Sequence, residues 1–336
     1  MSSNRAAANR APNTTGVMEE LLDAPYVVDV WRGHRVESRH RVAICAVDVA
    51  GKILLESGTI DVPVFLRSSA KPFIAAAAVR AGAVDAFGFD DRELALMCAS
   101  HAGEPGHIET ACSMLAKAGI HEGALLCGGT PSAIYNNCSG KHAGILALCK
   151  HIGAPLGTYL EPDNPAQKEI LALCSRMIDE PLPSERIAVD GCGIPVFATS
   201  LRRAARAFAR FASLEELDDE DREALKRCRT AMAENPWFVS GTGRFDTALI
   251  ESTGGAIVGK GGAEGFHGSA IVHAGIGLAI KVVDGNSRAT APTVMAALTK
   301  LDALTPAATD LLAPFTQPPV RNVAGRIVGK IVARIT

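Results

Sequence analysis

Strand-like segments lie at both ends of this 336-residue chain and enclose a long helical middle. β-branched residues alternate with polar ones within residues 26–57, and the pattern returns within residues 269–283 and 326–335. Because strands from both ends of a chain most simply join one sheet, this order predicts an α+β fold. We expect an antiparallel sheet with helices packed against it.

The middle of the chain has the apolar spacing of helices. Helices are predicted for residues 70–81, 90–100, 108–118, 141–151, 165–178, 196–211, 219–234 and 289–301.

Composition argues against several classes of protein. The 34 Lys and Arg residues nearly balance 36 Asp and Glu, so no broad basic surface is expected for nucleic acid or an anionic membrane. Nine cysteines without a CxxC pair argue against a secreted disulfide framework. Residues 1–24 lack the apolar stretch of a signal peptide and are predicted to be a flexible tail. We therefore expect a cytoplasmic protein that acts on small molecules, folded as one domain over residues 25–336.

Ser68 and Lys71 lie three residues apart at the start of a predicted helix, where they share a face. A neutral lysine amine there could take the proton of the serine hydroxyl. The pKa of a free lysine is about 10.4, so burial or a neighbouring charge such as Arg67 would have to lower it. The alternative is that Ser68 only caps the helix and Lys71 is solvated.

Ser100 precedes His101 and a glycine-containing turn. Adjacent residues of a helix or strand do not face each other, so a base for Ser100 must come from elsewhere in the fold. The alternative is a helix end with a polar exit loop.

Two cysteines lie in polar, glycine-flanked segments. Cys138, Lys141 and His142 fall within about one helical turn, and Cys192 lies between two glycines just after Asp190. Cys and His are ordinary zinc ligands, whereas a Lys amine is a rare one that must bind deprotonated. The alternative is that each cysteine is a small buried apolar residue.

Glycine-rich segments at residues 240–246 and 259–265 could supply backbone donors to an anionic group, or could be ordinary turns. The first contains half of a dinucleotide-binding fingerprint. It follows a helical segment rather than a strand, so a Rossmann unit is not predicted.

Taken in order, seven motifs resemble the rhizobial-type L-asparaginase family, also called class 3 or asparaginase II-like. The motifs are 67–72 (RSSAKP), 98–101 (CASH), 137–142 (NCSGKH), 190–193 (DGCG), 241–246 (GTGRFD), 259–265 (GKGGAEG) and 284–286 (DGN).

The resemblance implies hydrolysis of L-asparagine to L-aspartate and ammonia, a fold similar to serine β-lactamases and glutaminases, and a homodimer. It makes residues 25–336 the catalytic domain. It also pairs Ser68 with Lys71 and Ser100 with Lys260 as two Ser-Lys tandems.

The same resemblance implies a zinc ion (Zn2+) held by Cys138, Lys141 and Cys192. The substrate contacts that we expect are Arg67, His142, Asp190 and Gly261.

The hypothesis is that Ser68, deprotonated by Lys71, attacks the side-chain amide of asparagine and that water then hydrolyses the acyl-enzyme. The expected role of the zinc is to tune substrate binding. Two alternatives stay open, a serine β-lactamase-like hydrolase and a zinc-responsive binding protein without catalysis.

Overall fold

The computed structural model describes residues 23–335. The tail predicted for residues 1–24 lies outside these residues except for its last two. Of these, Asp23 is exposed, whereas Ala24 is buried and packs against Gly58. Contacts with the rest of the described chain therefore begin inside the predicted tail.

Within residues 23–335, eleven strands form one large sheet and one small sheet. The strands are β1 Tyr26–Arg32, β2 Arg35–Asp48, β3 Ile53–Ser57, β4 Pro63–Phe65, β5 Ile187–Val189, β6 Pro195–Ser200, β7 Ile257–Gly261, β8 Phe266–Ile271, β9 Ile276–Val282, β10 Pro319–Arg321 and β11 Ile327–Ala333.

The large sheet joins the two ends of the described chain. Its strand order is β10-β11-β1-β2-β9-β8-β7, with β3 also paired to β2, and its paired strands are antiparallel. β11 lies directly beside β1, with Val28 opposite Ala333. This confirms the predicted α+β fold with an antiparallel sheet.

Helices fill the region between these strands, as the periodicity predicts. They are α1 Lys71–Arg80, α2 Ala83–Ala86, α3 Asp91–Met97, α4 Pro105–Lys117, α5 Ser139–His151, α6 Pro165–Ile178, α7 Leu201–Ser213, α8 Asp219–Glu234, α9 Pro236–Ser240, α10 Phe245–Ser252, α11 Thr290–Lys300, α12 Pro306–Leu311 and α13 Ala313–Thr316.

Both faces of the large sheet are covered by helices. Along β2, Ala43 and Cys45 face a core that contains residues of α1 and α7, while Ile44 and Ala46 face a second core with residues of α10 and α11. A strand that is buried on both faces needs a continuous apolar run instead of alternation. The sheet is therefore the middle of three layers.

Residues 196–211 are not the single helix that was predicted. Their first part belongs to β6, which pairs with β4 and β5 in the small sheet. The β-branched and aromatic residues of this stretch favour a strand. Helix α7 begins only at Leu201, because the Ser200 hydroxyl caps it by accepting a hydrogen bond from the Arg203 N–H at 3.2 Å.

Among the helices of residues 23–335, none combines the length and the apolar character that a membrane span requires.

Candidate active site

The turn that carries Ser68 joins the small sheet to helix α1. A 3₁₀ turn, Arg67–Ala70, leads from β4 directly into α1. Arg67 has φ of +52°, a left-handed conformation that costs a non-glycine residue free energy. Its guanidinium is anchored by Asp190, with Nε and Nη2 at 2.8 and 2.7 Å from Oδ1. Two predicted substrate-binding residues are thus paired with each other at the nucleophile turn.

Lys71 is the first residue of α1, and its amine is buried against Ser100. The side chain is only 1% exposed, and Nζ donates to Ser100 Oγ at 2.9 Å and to the Ala99 carbonyl. Burial lowers the pKa of Lys71 to about 8; the charges of Lys141 and Lys260 act in the same direction and that of Cys138 opposes them. At neutral pH a larger fraction of this amine is neutral than in a free lysine.

The serine-lysine pairs differ from those that the resemblance implied. Lys71 is hydrogen-bonded to Ser100, while Ser68 shares its turn and is partly exposed. Lys260, implied as the partner of Ser100, instead lies against Asp246, and its Nζ also donates to the Gly261 carbonyl at 2.7 Å. Lys71 is therefore near Ser68 along the chain and in hydrogen-bond contact with Ser100.

A small, narrow cavity lies beside this turn. It is lined by Arg67, Ser68, Lys71, Lys141 and Asp190. The rest of its wall is mostly apolar and includes Ile74, Ile170, Leu171, Ile194 and Phe197. Five of the predicted site residues thus face one cavity.

The predicted zinc ligands converge in the structure. Lys141 Nζ donates to Cys192 Sγ at 3.0 Å, Cys138 and Cys192 interact closely enough to shift each other's pKa, and all three residues are buried. The contact with Cys192, together with the charges of Lys71 and Lys141, lowers the pKa of Cys138, and the same contact raises the pKa of Cys192. Burial alone would lower the pKa of Lys141, but the charges of the two sulfurs raise it.

Two thiolate sulfurs and one neutral amine nitrogen are donors of a type that zinc accepts. Zinc binding would displace the proton from Lys141, since a ligand amine must be neutral. Within residues 23–335 no group of three or more His, Cys, Asp or Glu side chains is arranged to hold a metal ion. A site at Cys138, Lys141 and Cys192 would therefore depend on the lysine as its third donor.

His142 follows Lys141 on α5 and is fully buried. Its Nδ1 lies 2.8 Å from the Tyr159 hydroxyl, which also accepts the Leu126 N–H. With the hydroxyl donating to Nδ1, the ring proton would be on Nε2. Among the described residues Nε2 has no hydrogen-bond partner, and burial holds the pKa of His142 well below its usual value. A neutral imidazole with one unpartnered ring nitrogen results.

The N–H of Gly261, a predicted substrate contact, already has an acceptor. It donates to Asp246 Oδ2 at 2.8 Å, and His267 Nε2 lies 3.1 Å from the other oxygen. This arrangement differs from the predicted role of Gly261 as a donor to substrate. Asp246 belonged to the recognised segment at residues 241–246, but no pattern marked its carboxylate or His267 as part of the site.

A serine hydroxyl hydrogen-bonded to a buried lysine amine, with a second serine one turn away, is typical of hydrolases that attack a carbonyl carbon. The chain belongs to the L-asparaginase II family, whose sequence profile matches residues 28–333. It is therefore a hydrolase that acts on amide bonds, as the resemblance implied.

Solved structures align with the chain at low identity. Native Mglu in the presence of 4.3 M NaCl is 15% identical, over 87% of this chain and 67% of that chain, with a TM-score of 0.39. A predicted beta-lactamase from Bacteroides dorei DSM 17855 is 14% identical, over 81% of this chain and 91% of that chain, with a TM-score of 0.39. No curated protein matches the chain significantly.

Proposed function

We propose that this protein is an L-asparaginase that hydrolyses L-asparagine to L-aspartate and ammonia. The observation that carries the proposal is the buried Lys71 amine, which reaches Ser100 at 2.9 Å and follows Ser68 by one turn. Lysine side chains are rarely buried, because removing their charge from water is costly, so a buried lysine is expected to have a specific role. Here the proposed role of Lys71 is to accept and return a proton.

In this mechanism Ser68 is the nucleophile. Its hydroxyl belongs to the lining of the cavity, whereas the hydroxyl of Ser100 is held by Lys71. Neutral Lys71 takes the proton of Ser68 as the oxygen attacks the side-chain amide carbon of asparagine. The same proton reaches the leaving nitrogen, directly or through the Ser100 hydroxyl, and ammonia departs.

Water completes the turnover. Lys71, neutral again, accepts a proton from water as the water attacks the acyl-enzyme ester. The ester bond to Ser68 breaks, the serine oxygen regains its proton, and aspartate leaves. Lys71 is therefore neutral again at the end of both the acylation and the deacylation.

The polar residues of the cavity wall suit the rest of the substrate. Asparagine carries an α-carboxylate and an α-ammonium group besides its reacting amide. Arg67 offers a cation and Asp190 an anion. Complementary charges of this kind favour an amino acid over a simple amide.

The zinc site belongs to this proposal. Cys138, Lys141 and Cys192 would hold the ion, and when bound it would keep the Lys141 amine neutral and offer an open coordination position beside the cavity. Its proposed role is to tune substrate binding, while the proton transfers stay with Lys71.

We also propose that the chain forms a homodimer in the cytoplasm. The resemblance to the family supports the dimer, and the nine cysteines, all of them free thiols, suit a reducing compartment. Light scattering during size-exclusion chromatography would test the dimer, since a mass of one chain would contradict it.

The experiment that tests the function measures ammonia release from L-asparagine, L-glutamine and short amides, alongside nitrocefin hydrolysis. The proposal predicts the highest kcat/KM for L-asparagine and no nitrocefin hydrolysis. Nitrocefin turnover without ammonia release would favour the β-lactamase-like alternative, and inactivity on every substrate would favour the binding protein.

A further inference from the structure

We infer that Asp246 is a positioning residue for the hydrolysis, and that its carboxylate fixes the Lys260 ammonium and the Gly261 peptide beside the nucleophile turn. The inference rests on the proposed function and deepens it. It concerns a side chain that the motif analysis did not assign to any role.

Asp246 lies in the first turn of α10 and is 7% exposed. Its Oδ2 lies 2.8 Å from the Gly261 N–H and 3.4 Å from Lys260 Nζ, and its Oδ1 lies 3.1 Å from His267 Nε2. A buried carboxylate with three polar partners is a strong and directional anchor. Burial by itself raises the pKa of Asp246, but its attraction to Lys260 and its hydrogen bonds hold that pKa far below the usual range.

The partners of Asp246 are fixed in turn by the sheet. Gly261 on β7 is directly opposite His267 on β8, so one carboxylate spans two paired strands. Ser269 Oγ lies 3.2 Å from His267 Nδ1, which holds the imidazole ring in place. A Cβ at Gly259 would lie 2.9 Å from the Cε1 of this ring, so the ring needs a glycine there.

Lys260 is held on two sides. Its Nζ lies between the Asp246 carboxylate and the Gly261 carbonyl, which accepts from it at 2.7 Å. The side chain is 1% exposed, so water does not replace these contacts. Without the carboxylate, the ammonium would keep only a neutral carbonyl partner.

The end of β7 touches the turn that carries the nucleophile. Ser69 Oγ donates to the Lys260 carbonyl at 2.5 Å, and a Cβ at Gly262 would lie 2.6 Å from the Leu66 carbonyl oxygen. The end of β7 is therefore packed closely against this turn. A shift of Lys260 or Gly261 would therefore be transmitted to Ser68, and small displacements of reacting groups lower kcat strongly.

A double-mutant cycle tests this role. Wild type, Asp246→Asn, Lys260→Met and the double variant are compared for ammonia release from L-asparagine. We expect Asp246→Asn to lower kcat by about tenfold or more with KM changed by less than about twofold. In the Lys260→Met background, the same change should cost a clearly smaller factor in kcat, because only the Gly261 and His267 contacts remain to be lost.

A merely structural role would give a different pattern. If Asp246→Asn lowers kcat by the same factor in both backgrounds, the inference is overturned. His267→Asn, which removes the partner of Oδ1 together with the ring's contact to Ser269, serves if Asp246→Asn does not fold. It should cause a smaller loss in kcat that decreases further in the Lys260→Met background, and an equal loss in both backgrounds would overturn the inference.

The matched control is Asp221→Asn. Asp221 is another buried aspartate, and it lies on α8. It forms an ion pair with Arg176 at 2.6 Å and does not line the cavity. It should lower the thermal midpoint and leave kcat unchanged. If wild type releases ammonia but the two substitutions act additively, only the inference is overturned. If wild type releases ammonia from none of the amides, the proposed function and the inference are both overturned.

Discussion

At the scale of single residues, three buried lysines distinguish this molecule. Lys71, Lys141 and Lys260 are each at most 2% exposed, and each has a different partner: a serine hydroxyl, a pair of sulfurs and a carboxylate. Because each buried amine needs compensation, the partner indicates the role. The proposal accordingly assigns proton transfer to the first, zinc binding to the second and positioning to the third.

The zinc assignment makes a prediction about Cys192. Replacing it with Ala removes one of three ligands, so zinc per chain should fall by at least about tenfold. Elemental analysis of the purified protein checks this. The control is Cys149→Ala, a buried cysteine on the same helix as Lys141. Equal zinc content in the two variants would reject the site.

His101 makes a prediction about pH. It is buried, its Nδ1 accepts the Gly103 N–H at 3.1 Å and its Nε2 lies 3.0 Å from Ser139 Oγ. Burial first, then the charges of His107 and Lys71, lower the pKa of His101 from 6.5 to about 3. Between these values the unfolded chain binds a proton that the folded chain does not.

The free energy of unfolding should therefore decrease as pH falls below about 6.5, with a contribution from His101 of at most about 1.4 kcal/mol per pH unit. Urea unfolding of wild type and His101→Gln between pH 5 and 7.5 measures it. The variant should show the shallower pH dependence, and identical slopes would contradict the assignment of a neutral, buried His101.

At the scale of elements, α7 packs very closely against the large sheet. A Cβ at Gly277 on β9 would lie 1.9 Å from the Ala205 carbonyl oxygen of α7. The backbone of the helix thus rests on the backbone of the strand. Only glycine permits this contact, because the carbonyl cannot rotate away without breaking the helix.

Gly277→Ala should consequently lower the free energy of unfolding by about 3 kcal/mol or more, since the layers must separate. Gly157→Ala is the control, because a Cβ there meets nothing within 4 Å. It should change the free energy by less than about 0.5 kcal/mol. Chemical denaturation gives both values, and a tolerated Gly277→Ala would show that the contact is not close.

The elements also show what sequence could and could not predict. Alternation at both ends of the chain predicted the shared sheet, because a period of two residues is a local signal. Strand β6 was taken for the start of a helix, because its six residues lead straight into α7 and depend on pairing with β4 and β5. Pairing between distant strands leaves no mark on local periodicity.

The site shows the same limit. The motifs predicted which residues would meet, and Cys138, Lys141 and Cys192 do lie together. They could not predict that Lys71 contacts Ser100, since that contact depends on how the start of α1 meets the end of α3. Asp246 lay in a recognised segment, but its burial and its three partners follow only from the packing of α10 on β7 and β8.

At the scale of the whole molecule, the small sheet, the helices and the large sheet each bring residues to the region around Ser68. The nucleophile turn comes from the small sheet and α1, the sulfur and lysine cluster from α5 and the loop after β5, and Lys260 from the edge of the large sheet. Residues far apart in sequence thus become neighbours of Ser68. The account makes one central claim for this assembly: Ser68 is the nucleophile of an amide hydrolase.

The most direct test is the rate of ammonia release from L-asparagine by wild type, Ser68→Ala and Ser175→Ala, with zinc measured in each. Ser175 is a partly buried serine on α6 that donates to the Glu180 carbonyl and serves as the control. We predict that the kcat of Ser68→Ala is at least about a thousandfold lower than that of wild type, while its zinc content is unchanged. The activity of Ser175→Ala should equal that of wild type. Substantial turnover by Ser68→Ala would contradict the central claim.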